Sequence, residues 1–155
     1  MLRSFDGSDS MCVVASERRW EVSRGLRNCN PGNIRHSIAR YRGEKQPSRD
    51  PAFKEFESLE WGYRAIFVTL NTYRNKHGLK TIPEMIGRWA PPNENHTAAY
   101  IRAVAQRSGI SIGEEIDTLD RATMIPLVAA ISQVENGVPA NRRALERGWE
   151  LFVEK

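Results

Sequence analysis

The chain changes character at Ser58. From Ser23 to Ser58 it is crowded with turn formers, among them Asn28, Asn30, Pro31, Gly32 and Asn33, then Gly43, Pro47, Ser48, Asp50 and Pro51, and such residues favour bends over regular ladders. After Ser58 apolar residues recur at helical spacing as far as Phe152. Tyr63, Ile66, Phe67, Leu70 and Tyr73 form one stripe, with Ser58 as N-cap and Gly78 as the stop. Thr81-Ile-Pro-Glu84 reads as a capping box opening a short helix with Met85, Ile86 and Trp89 inward, closed by Pro91 and Pro92. Asn95 or Thr97 starts the next helix, which buries Tyr100, Ile101 and Val104 and ends at Gly109. The most apolar stripe, Met124, Leu127, Val128, Ile131 and Val134, ends at Glu135-Asn136-Gly137, and Pro126 predicts a regular ladder only from about Thr123. A final helix from about Asn141 carries Leu145, Trp149 and Phe152. The expected class is mainly α (α+β), with about five helices against a small irregular β/loop lobe near the N-terminus, and short strands at 34–41 and 52–56.

At 155 residues one domain can bury a sufficient core. Residues 1–18 lack periodicity and are expected as a frayed or disordered tail, with 19–155 as the single folded domain. Hydrophobic residues at 40 % and charged ones at 27 % exclude a disordered chain. The net charge of +4 and pI of about 9.3 favour anionic partners. The arginines are dispersed, however, which predicts a mixed solvated surface rather than a dedicated nucleic-acid face. No apolar run is long enough for a signal-peptide core or a bilayer span, so the chain is expected to be made in the cytoplasm without a signal peptide and without stable membrane insertion. Its two cysteines, Cys12 and Cys29, have neither metal-ligand nor redox-motif spacing and are expected as free thiols.

The three histidines, His36, His77 and His96, have no partner at metal-ligand spacing, and no nucleophile elbow or phosphate-cradling loop occurs. No metal or cofactor is therefore expected, and carboxylates and amides remain as the chemical groups. Glu135 stands out because a carboxylate in the last turn of a helix faces the negative end of the macrodipole, which disfavours its ionised form. Burial beside Val134 and Val138 would add to that effect and make Glu135 a candidate general acid. The competing reading is an exposed last-turn glutamate.

Four stretches carry a resemblance: RGLRNCNPGNIR (24–35), FESLEWGYRA (56–65), RWAPPNENHTAAYI (88–101) and VENG (134–137). Together they resemble the phage-type lytic domain of bacteriophages and prophages, a family that includes the lytic virion structural protein of the enveloped double-stranded RNA phages. The resemblance covers about residues 23–153. It implies a lysozyme-like, lytic-transglycosylase-type fold and cleavage of the bond between N-acetylmuramic acid and N-acetylglucosamine in bacterial peptidoglycan. By the same resemblance Glu135 is the catalytic acid, Tyr100 lies over the saccharide groove, and Asn30, Asn33 and Asn95 bind sugar hydroxyls and acetamido groups. In lysozyme-like enzymes the glutamate-bearing helix comes early, whereas here it is nearly last, so Glu60 stands as a second catalytic candidate, ahead of Glu44 and Glu57. The site of action implied is the periplasm or cell wall, reached after release or from a phage particle, with other particle or lysis proteins as further partners. Two other expectations stay open: an endopeptidase cutting peptide cross-links, and a non-catalytic virion or tail component.

Overall fold

The computed structural model describes residues 22–92 and 96–154. Among these, six helices occur: α1 Arg24–Arg27, α2 Leu59–His77, α3 Ile82–Trp89, α4 Thr97–Ser108, α5 Arg121–Asn136 and α6 Arg142–Val153. The mainly helical class agrees with the pattern after Ser58. Most boundaries follow from local chemistry. Ser58 occupies the N-cap position of α2, and α2, α4 and α5 each end on a left-handed glycine, at Gly78, Gly109 and Gly137. Thr81 caps α3 by accepting from the Glu84 amide, while the Glu84 carboxylate accepts from the Lys80 amide at 2.7 Å, one residue before the cap. Asn141 caps α6 by accepting from the Ala144 amide at 3.0 Å.

Two boundaries depart from expectation. Helix α1 is a single turn that was not anticipated; Ser23 caps it, accepting from the Leu26 amide at 3.2 Å. Helix α5 begins at Arg121, two residues before Thr123, and holds Pro126 inside its second turn. Packing outweighs the missing amide donor there: Met124, Ile125, Leu127, Val128 and Ile131 are all at most 2 % exposed.

The core lies between α2 and the C-terminal helices, and α2 makes its largest contact with α6. Phe67 meets Trp149 edge-on at 5.1 Å and stacks with Phe152 at 5.9 Å, geometries that aromatic quadrupoles favour. Tyr100 and Val104 of α4 and Met85 and Ile86 of α3 join the same cluster.

The segment before α2 forms no strands among the described residues. Two isolated antiparallel bridges, Arg35 with Phe53 and Glu44 with Phe56, stand where strands were expected. Side chains hold the lobe together instead. Lys54 is fully buried; its ammonium donates to the Ala39 carbonyl at 2.8 Å and pairs with Glu44 at 3.0 Å. Glu55, 2 % exposed, pairs with Arg49 and with Lys45 at 3.4 Å. Buried charges are tolerated only when paired and hydrogen-bonded, as these are. Cys29, fully buried against Phe56 and Ala65, is disulfide-bonded, which corrects the expected free thiol. Pairing depends on Cα separations that only the folded chain sets. Cys12 and the expected tail over 1–18 lie outside the described residues.

Helix α2 presses directly on this lobe at Gly62. A Cβ placed there would lie 2.0 Å from the Cys29 carbonyl oxygen and 2.6 Å from Pro31 Cδ. Gly to Ala inside a helix usually gains about 1 kcal/mol, yet overpacking against backbone costs about 1–3 kcal/mol or more. Gly62→Ala is therefore expected to lower the denaturant midpoint, with a net loss of about 2 kcal/mol in equilibrium unfolding. An unchanged or raised midpoint would show that the lobe can retreat from α2.

Candidate active site

The end of α5 meets the Asn-Pro-Gly-Asn loop. Asn33 adopts a left-handed backbone, φ 49°, a conformation that asparagine tolerates better than most residues. From there its Nδ2 donates to Glu135 Oε1 at 2.8 Å. On the other side the Tyr100 hydroxyl donates to Glu135 Oε2 at 2.8 Å, and Trp89 Nε1 donates to the Tyr100 oxygen at 3.0 Å. Burial first, and then the charge of Glu135, push the Tyr100 phenol far above its usual range. It therefore remains an O–H donor. Helices α3, α4 and α5 and the loop thus each contribute one group to a chain ending on a single carboxylate.

The next residue locks the two segments together. Asn136 Nδ2 donates to the Pro31 carbonyl and to the Ser132 carbonyl, both at 2.9 Å, and its Oδ1 accepts from Ser23 Oγ at 2.6 Å. Gly25 of α1 passes beneath this network. Any Cβ there would come within 2.6 Å of Asn136 Oδ1 and 2.9 Å of Asn33 Oδ1, so the turn of α1 that supports the site requires glycine.

Glu135 and Asn33 line a cleft of about 540 Å³, together with Trp89, Arg88, Tyr73 and Phe53. Arg35 and His36 line it as well, and Glu135 is the only carboxylate among the described residues that do so. No group of three or more His, Cys, Asp or Glu side chains among the described residues could hold a metal ion. No helix among them is long and apolar enough to cross a membrane.

The residues singled out in the sequence fare differently. Glu135, Asn33 and Tyr100 come together. Tyr100, though, is only 8 % exposed and lies behind the carboxylate as its hydrogen-bond donor rather than over the groove. Asn30 is fully buried and spent on backbone: it donates to the Ile34 and Lys54 carbonyls at 3.0 and 2.8 Å and accepts from the Ile34 amide. It shapes the loop and does not line the cleft. Glu60 sits in the first turn of α2, with its carbonyl facing Gly148 of α6, and is not among the cleft residues. Glu44 pairs with Lys54 inside the lobe, Glu57 is exposed before α2, and Asn95 lies outside the described residues. The helical pattern marks Trp89 only as a core residue. An indole N–H that is buried usually finds an acceptor, and this was the available signal for its part in the network.

A mainly helical scaffold thus carries one doubly hydrogen-bonded carboxylate on the wall of a cleft. The chain is 38 % identical over 134 residues to Protein P5 of Pseudoalteromonas phage PM2, an alignment spanning 84 % of this chain and 82 % of that protein. It belongs to the family of that bacteriophage protein. No protein-family model matches it.

The cleft wall depends on a clamp remote from the carboxylate. The Arg24 guanidinium donates twice to Asp50, both at 2.7 Å, Asn28 Nδ2 donates at 3.0 Å, and the Ala52 and Phe53 amides donate to Asp50 Oδ1. Chiefly through the Arg24 bonds, this holds the Asp50 carboxyl well below the usual carboxylate range. A carboxyl depressed by folding stabilises the native state above its unfolded pKa, and that stabilisation is lost as pH falls toward the folded value. Asp50→Asn is therefore expected to be less stable than the parent at neutral pH. The gap should close as pH falls below about 4, when the carboxyl protonates in the unfolded chain and then in the folded one. Thermal unfolding of both proteins across that range measures it, and a gap that widens in acid would refute the clamp.

Proposed function

We propose that this phage-family protein is an enzyme of lysozyme-like type that cleaves the glycan strand of bacterial peptidoglycan, with Glu135 as proton donor. The observation that carries the reading is the Glu135 carboxylate held between Asn33 and Tyr100 on the wall of the open cleft. A protonated Glu135 gives its proton to the glycosidic oxygen as the C–O bond breaks through an oxocarbenium-like state. The Asn33 and Tyr100 donors then stabilise the carboxylate left behind. In the transglycosylase route the same carboxylate next accepts the proton of the muramoyl 6-hydroxyl, giving an anhydro sugar and leaving Glu135 protonated again. One carboxylate serves both halves of that route, and we take it as the mechanism; the hydrolytic route requires a positioned water in addition. A cleft lined by Tyr41, Phe53, Tyr73 and Trp89, with the Asn33 amide beside Glu135, suits sugar rings with acetamido substituents. The protein is proposed to reach the wall from a phage particle or after release from the cell that made it.

A second reading is supported by the likeness to Protein P5: a component of a phage particle that binds the wall or other particle proteins without cutting. Incubation with purified sacculi, followed by mass spectrometry of the soluble fragments, separates the readings. Anhydro-muropeptides are expected. Reducing muropeptides would select the hydrolytic route, cut cross-links an endopeptidase, and intact sacculi the binding component. Glu135→Gln keeps the shape and removes the proton, and is expected to slow fragment release by about 10²-fold or more, the contribution of a general acid. Full activity in that variant would end the assignment of Glu135.

A further inference from the structure

The cleft carries more positive charge than a neutral glycan needs. Arg35 and Arg88 line it against the one carboxylate of Glu135 among the described residues. Arg24, Arg49, Arg121, Arg142 and Arg147 each pair with a carboxylate, whereas Arg88 has no such partner among the described residues. It is exposed in the last turn of α3, and its guanidinium carbon sits 5.5 Å from the centre of the Tyr73 ring. The guanidinium also hydrogen-bonds the Tyr73 phenol, and the rest of its planar fork matches a carboxylate with two parallel hydrogen bonds. Tyr73 fixes the guanidinium in place from α2, and burial pushes its phenol up to about 12, so the ring stays neutral beneath the charge.

We propose that Arg88, seated on Tyr73, is a carboxylate-binding subsite of the cleft, selecting glycan strands whose sugars carry free carboxylates on their acid or peptide substituents over uncharged polysaccharide. The proposal rests on the reading of this cleft as a glycan site and adds its substrate class. Arg35 adds positive charge along the same wall and steers the polymer inward.

The test is a binding measurement, so it does not depend on turnover. Calorimetry on the Glu135→Gln protein compares a muropeptide tetrasaccharide having intact stems with the same fragment after carbodiimide amidation of its carboxylates. The acidic form is expected to bind about tenfold tighter, the effect of one charge-assisted contact. In the Glu135→Gln, Arg88→Gln double variant the two forms should bind alike. Arg88→Lys should restore part of the preference, since lysine keeps the charge and loses the fork. Equal binding of both forms, a preference that survives Arg88→Gln, or no binding of either form would overturn the proposal. A preference in a protein that cuts no sacculi would keep the subsite and remove the cleavage reading. Cutting without a preference would do the reverse.

Discussion

The structure depends on the seam between the end of α5 and the loop before α2. Three side-chain bonds cross it, from Ser23 to Asn136, from Asn136 to the Pro31 carbonyl and from Asn33 to Glu135, joining residues separated by 113, 105 and 102 positions. Closing so long a span costs conformational entropy that no local element can offset. The seam therefore holds only because both sides are rigid beforehand. Helix α5 is fixed by its apolar stripe in the core, and its chain direction turns away at Gly137, so Glu135 and Asn136 project from a firm end. On the other side, Asn30 draws the loop onto the Lys54 carbonyl while Gly62 lets α2 close against Cys29.

This accounts for the lobe's dependence on charge. A sheet would satisfy its backbone groups by pairing strands, but here two isolated bridges leave most of that work to side chains. Lys54 donates to the carbonyls of Ser37 and Ala39, Asp50 accepts from the Ala52 and Phe53 amides, and Glu55 accepts from the Arg49 amide. Each of these ions is also paired with an opposite charge. The arrangement places Phe53, Arg35 and Tyr41 on the cleft wall without requiring regular structure beneath them. It also makes the lobe sensitive to the Lys54–Glu44 pair, in which both side chains are buried and removing one leaves the other uncompensated.

What the sequence makes legible follows from the range of the forces involved. Gly78, Thr81, Gly109, Gly137 and Asn141 mark helix ends through bonds spanning a few residues, and each ends or caps a helix in the structure. Asn33 and Glu135 could be singled out because an amide loop and an acid at a helix terminus are local oddities. The lobe was less readable. Lys54 and Glu55 look like two exposed charges between Phe53 and Phe56, and only the folded loop shows them to be its buried centre. For the same reason Asn30 and Asn33 are alike on paper: both are loop asparagines three residues apart, and only their backbones decide which one turns inward to carbonyls and which reaches the acid. Tyr100 sits on the core stripe of α4, and its role behind Glu135 depends on where α4 meets α5.

The late place of Glu135 in the chain bears on the same point. A carboxylate on a cleft wall needs a helix end, donors on its two oxygens and an opposing surface, and it is indifferent to the order in which the chain supplies them. Here the helix comes after the loop, and Trp89 and Tyr100 arrive between them. The donors to Glu135 come from the loop and from α4, with the α3 indole behind the phenol, so no single short motif encodes the site. Its geometry resides in the packing of α4 on α5 and in the seam, and any rearrangement of chain order that preserved those two contacts would preserve the carboxylate's surroundings.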